Sequence, residues 1–174
     1  MTALRVVLVV AAALVFQSLL TRLLGDASLG TDLVLVAVVW TALRYGRVAG
    51  LLGGTLAGLA QDALGGGILG IGGLAKSVSG FLTGLVGTQF IVTQPLPRFL
   101  VFLTATAVNA ALFMGLYELL GLRHYEQPYL PVLIQGLANA VIGVLVFEAI
   151  EFLPGARERW RARHAHRKKK GQFR

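Results

Sequence analysis

Two charged residues, Asp62 and Lys76, stand out in the glycine-rich middle of a largely apolar chain, and their spacing is specific enough to carry chemistry. Asp62 lies one further turn along from Gly50, Gly54 and Gly58, so it points to the same helix face as those glycines. An ionised carboxylate in such surroundings costs several kcal/mol unless it is paired or wet. Lys76 stands alone as a basic residue between Arg47 and Arg98 and is the expected partner. The segment between them, Gly65-Gly66-Gly67-Ile68-Leu69-Gly70-Ile71-Gly72-Gly73, has six glycines in nine residues and permits a tight reversal. An Asp62–Lys76 pair would staple two helix ends. A ligand or partner contact is the sharper alternative, and a proton relay a third. Whether residues 65–75 are re-entrant or a regular helix start is left open.

Glycine spacing is the second signal. Gly50, Gly54 and Gly58, with Gly53 and Ala57 beside them, make a shallow groove that admits another backbone. Gly80 and Gly84 form a similar pair in the next segment. Packing within the chain's own bundle is the default reading, and a docking groove for a partner's helix is the other. Gln17, Asn109, Gln135 and Asn139 lie within apolar stretches and read as interhelical glue. Glu118, Glu148 and Glu151 fall near span ends, within reach of water or headgroups.

Catalytic chemistry is poorly supplied. The chain has no cysteine, which removes disulfides, thiolate metal sites and cysteine nucleophiles. His124, His164 and His166 have no ligand cluster near them in sequence, and no nucleophile elbow, phosphate loop or metal motif is present. The expectation is a non-enzyme without cofactor or metal.

These residues need elements to hold them, and composition says which. Hydrophobic residues make up 56% of the 174, charged residues 14%, and mean hydropathy is +0.74. Soluble domains carry about 25% charge, so the chain is not written for a water-exposed surface. A span needs about 20 mostly apolar residues. Six stretches qualify, at about 4–24, 28–43, 48–64, 70–92, 98–120 and 130–153. The first is longer than a signal-peptide core and lacks a clear cleavage site, so it reads as an uncleaved anchor. The second is the weakest, with Asp32 near its start and Arg44 closing it early. The predicted fold is all-α and integral to the membrane, with about six transmembrane helices over residues 1–155.

Charge fixes the orientation. The net +8 lies entirely in the last 18 residues, which hold nine Lys/Arg and one Glu. Such a distribution excludes a soluble nucleic-acid-binding domain, whose basic residues would spread over a folded face. Arg5, Arg44, Arg47, Arg98 and the tail fall on one side of a six-span topology, while Arg22 and Arg123 fall opposite beside Asp26 and Glu126. Both termini are therefore expected in the cytoplasm of a multi-pass inner-membrane protein. The tail, residues 156–174, is expected to follow a break at Pro154-Gly155. Its Arg157, Arg159, Arg161, Arg163, Lys168, Lys169 and Lys170 suit anionic lipid headgroups, worth about 1 kcal/mol each. Docking of an acidic cytoplasmic protein is the alternative.

The run from Asp32-Leu33-Val34-Leu35-Val36 through Arg44-Tyr45-Gly46-Arg47, then Gly50, Gly54, Gly58-Leu59-Ala60-Gln61-Asp62, Leu69-Gly70 and Leu74-Ala75-Lys76, resembles the rod shape-determining family MreD. About 50 residues match in register, while span count, length and the basic C-terminus fit less specifically. Thr31 stands where the family often has proline, which leaves the start of the second span less defined.

The resemblance implies a non-enzymatic scaffold of the bacterial cell-elongation machinery. It implies binding to a bitopic partner like MreC, and through it an indirect link between MreB filaments and the RodA–transpeptidase pair that makes peptidoglycan. It also implies a likeness to the six-helix substrate-binding subunits of energy-coupling-factor vitamin transporters. By that analogy the glycine-lined third and fourth spans and the 65–73 turn would take the partner's helix. Self-association stays open. The alternative function is such a transporter subunit itself. Against it, the small-residue pattern of the first span is only partial, with Val15 four residues after Ala11. The aromatic residues for an outer pocket are also few.

Overall fold

A computed structural model describes the backbone of residues 2–25, 30–89, 94–123 and 129–171, with side chains up to Phe152 except those of Thr2 and Leu24. Six helices follow in order: α1 (Thr2–Leu24), α2 (Leu33–Tyr45), α3 (Arg47–Gly65), α4 (Ile71–Gln89), α5 (Pro95–Leu119) and α6 (Tyr129–Gly171). No strand is present among the described residues. The all-α membrane architecture read from the sequence is what the chain forms.

Local chemistry sets the helix ends. The Asp32 carboxylate accepts the Leu35 N–H at 2.9 Å and caps α2. A single residue, Gly46 at φ +87°, separates α2 from α3. Gly66, at φ +66°, closes α3 in the left-handed conformation that glycine adopts without penalty. Pro95 opens α5 at its first position, where its missing N–H costs nothing.

The helices differ in their relation to a bilayer. Stretches in α1 (Ala3–Leu23), α5 (Pro95–Leu119) and α6 (Tyr129–Phe152) are long and apolar enough to cross one. The second element has only 13 residues, about 20 Å of helix, and cannot span alone. Instead it is the centre. Nine consecutive residues, Val34 to Ala42, are buried on every face, and α2 touches each of the other five helices. The remaining helices stand around it in the order α1, α3, α4, α5, α6, with neighbours in contact. Between α1 and α6 no contact forms among the described residues, so the ring is open there. Leu35, Val39, Trp40, Phe102 and Phe147 make one side of the core, and Val6, Val10, Val34, Val38 and Ala57 the other. Leucines such as Leu8, Leu100, Leu133 and Leu145 point outward, as a lipid-facing surface requires.

The expected break at Pro154-Gly155 is absent, because α6 continues through both to Gly171. A proline within a helix forfeits one backbone hydrogen bond, and here the helix carries that cost without ending. The side chains of the tail residues Arg157, Arg159, Arg161, Arg163, Lys168, Lys169 and Lys170 lie outside those described.

Candidate functional site: a charged seam beneath a polar cleft

Glycines bring α3 and α4 into backbone contact. A methyl group added to Gly50 would strike the Gly80 carbonyl, and one on Gly54 the Lys76 carbonyl. One on Gly58 would meet the backbone of Gly72 and Gly73, and one on Gly84 the backbone of Arg47. All these approaches fall below 3.0 Å, closer than real Cβ contacts. The five glycines singled out from the sequence thus face one another's helices. The docking groove considered for them is already filled by the chain's own backbone, so an outside helix cannot enter it.

The expected Asp62–Lys76 pair does not form. Lys76 Nζ lies 2.8 Å from Asp32 Oδ2, with both side chains almost wholly buried. The reason lies in the turn that separates Asp62 from Lys76. Asp62 Oδ2 accepts N–H groups from Gly70 at 2.9 Å, Gly72 at 3.0 Å and Gly73 at 3.3 Å. These are the free donors at the start of α4, where the helix dipole also favours an anion. With Asp62 satisfied by the backbone, Lys76 turns to the aspartate that caps α2. From Ile71 to Gln89 the chain is a regular α-helix.

Asp32 is the hub of a longer chain of bonds. Its N–H donates to Asn139 Oδ1 at 2.9 Å, and Asn139 Nδ2 donates to Thr106 Oγ1 at 3.2 Å. Four helices, α4, α2, α6 and α5, are linked this way. Gln17 of α1 adds a fifth by accepting the Leu33 N–H at 2.8 Å. The in-span amides Gln17 and Asn139 therefore hold helices together, and Asn139 does so through the α2 cap. Asp32 is legible as the opening residue of the second span, but nothing in the spacing marks it as the partner of Lys76.

Sequence reasoning also misses that Arg98, at the opposite end of α2, is buried against two half-exposed glutamates. Arg98, 3% exposed, bonds Glu148 at 2.7 Å and both oxygens of Glu151 at 2.9 and 3.0 Å. Its guanidinium sits 4.2 Å above the Phe147 ring, a cation–π geometry. A signal for it exists. Glu148 and Glu151 are three apart on one helix face, and the short α5–α6 connection makes those helices antiparallel neighbours.

Above the Asp32–Lys76 pair lies a polar cleft formed by two adjoining hollows, of about 500 and 480 Å³. Asp32, Gln61, Gly65 and Gln135 line both. The first hollow occupies the opening between α1 and α6. The second runs inward past Lys76 and Asn109 to Phe113 and Tyr117, whose rings lie 4.8 Å apart. The carboxamide oxygens of Gln61 and Asn109 are buried without a hydrogen-bond partner among the described residues. Each such oxygen forfeits about 1–3 kcal/mol. Such an arrangement can bind and orient a polar group.

Comparison with known proteins gives one match. The family model described as rod shape-determining protein MreD covers residues 1–153. No curated protein and no solved structure matches the chain.

Proposed function

We propose a function from one premise: the chain belongs to the rod shape-determining protein MreD family. A part in determining rod shape, as an inner-membrane protein, comes with that membership. The finer reading is a non-enzymatic scaffold. It binds a bitopic, MreC-like partner and thereby couples MreB filaments to the RodA–transpeptidase synthase and to peptidoglycan synthesis. Both termini are cytoplasmic, and the basic tail rests on anionic lipid.

The observation that carries this reading is the outward side of the α3–α4 pair. Because the inner glycines draw these helices together, their outer edges share a groove lined by Thr55, Leu59, Gly70, Gly73, Leu74 and Ser77. Thr55 and Ser77 are bonded to each other at 2.7 Å, so the groove floor is small and self-satisfied. Its Leu59 and Leu74 are exposed. Small residues flanked by leucines suit a single transmembrane helix, which binds by close van der Waals packing. Partner binding thus moves from the inner faces of Gly50, Gly54, Gly58, Gly80 and Gly84 to the surface they create.

Detergent co-purification with the bitopic partner tests the proposal. Leu59→Trp and Leu74→Trp should lower recovery of the partner while the protein still accumulates in membranes. Undiminished recovery with both would sink the groove as the docking site. The polar cleft favours a second reading, the substrate-binding subunit of an energy-coupling-factor vitamin transporter. A vitamin retained through purification would support it.

A further inference from the structure

We propose that the polar cleft is a binding site for an uncharged, hydroxyl- or acylamino-bearing group of glycosyl type. The two hollows together fall within the range of about 300–1,000 Å³ typical of small-molecule sites. Among the described residues, the charged side chains lining them are Asp32, Asp62, Lys76 and Arg22, which balance to zero. Asp32 and Lys76 neutralise each other, and Asp62 is occupied by the turn amides. Over the whole cleft the charges cancel, with Arg22 in the first hollow and the amide-bound Asp62 in the second.

Selection therefore falls to hydrogen bonding. Three carboxamides, Gln61, Asn109 and Gln135, line the inner hollow. Each carries donor and acceptor together, which matches a hydroxyl or acylamino group that does the same. Asn109 is 93% buried and its oxygen has no partner among the described residues, and the Gln61 oxygen is likewise unpartnered. Rotation about the broad final torsion of either side chain can turn its oxygen to a ligand. Phe113 and Tyr117 add an aromatic wall for the apolar face of a ring. Among the described residues the gap between α1 and α6 lies beside the first hollow, so both a free sugar and a lipid-borne sugar headgroup are to be tested.

The test uses the full chain in phosphatidylethanolamine–phosphatidylglycerol nanodiscs. Three probes are compared: N-acetylglucosamine in solution, its 6-phosphate, and glucosyl-diacylglycerol added to the lipid. Saturation-transfer NMR reads the soluble probes, and native mass spectrometry reads the lipid. Binding of either neutral probe is expected, weakened about tenfold or more by Asn109→Leu and by Gln61→Leu, the loss of one well-placed hydrogen bond. Asn109→Leu should also leave the ligand-free Tm unchanged or higher, because it removes an unsatisfied buried oxygen. A merely structural Asn109 would lower it. If Asn109→Leu fails to fold, the half-buried Gln61 still carries the test. Binding of N-acetylglucosamine identifies a soluble ligand, and binding of the glucosyl lipid alone identifies a headgroup; both support the site. Failure of both neutral probes overturns it, as does binding undiminished in both variants or equal binding of the phosphate. The co-purification result at the outer groove is independent of this outcome.

Discussion

Replacing Lys76 by methionine leaves Asp32 as a lone carboxylate in the core of a membrane protein, at a cost of about 3–5 kcal/mol. Removing both charges, as Asp32→Asn with Lys76→Met, should cost less than Lys76→Met alone, since no uncompensated charge remains. Thermal unfolding in detergent checks the order, and a double variant weaker than either single would contradict the pairing. Asp62 belongs to different chemistry. Gly72→Ala places a methyl group against the Asp62 carboxylate, so it should loosen the α3–α4 turn while the Asp32–Lys76 pair persists. At this scale the sequence reveals which residues are unusual, but not who meets whom. Asp62 and Lys76 stand out because each is a lone charge in an apolar run. Spacing points them at each other wrongly, because the donors that satisfy Asp62 are backbone N–H groups, which spacing does not display. Asp32 and Lys76 are far apart in the chain, and only the packing of α2 against α4 brings them together.

At the scale of elements, the glycine seam sets how closely α3 and α4 approach. Gly54→Ala should destabilise by about 1–3 kcal/mol, because the helices must separate to admit one methyl group. Gly115→Ala, in α5 with nothing within 4 Å of an added Cβ, should be neutral or slightly stabilising through helix propensity. Comparing the two unfolding temperatures isolates the seam from the general effect of glycine in a helix. Periodicity makes this legible, since residues four apart share a face whatever the fold. The partner of that face is not legible. Intramolecular and intermolecular grooves need the same small residues, and only the three-dimensional contact tells them apart. The short α2 reads as a weak span for the right reason, its early closure at Arg44, yet its place at the centre follows only from burial on all sides.

For the whole molecule, the division into an apolar body and a cationic tail locates separate tasks. Deleting residues 157–174 removes the entire net charge of +8 and should lower membrane abundance more than partner recovery. Quantitative blotting of membrane fractions beside co-purification measures both. Arg98→Leu should harm the body itself, because Glu148 and Glu151 would then repel across one helix turn. Charge asymmetry is readable from the order of the residues alone, but Arg98, which reads there as a topology marker, proves to be buried. The scaffold role rests finally on where a partner's helix lies, and the lack of native cysteine makes that directly measurable. Single cysteines at Thr55, Leu59 and Leu74 would be tested for cross-linking to a cysteine series in the partner's transmembrane helix, with Val15 on α1 and Leu133 on α6 as references. Cross-links confined to the α3–α4 positions are the predicted result. Cross-links from Val15 or Leu133, with none from the α3–α4 groove, would contradict it.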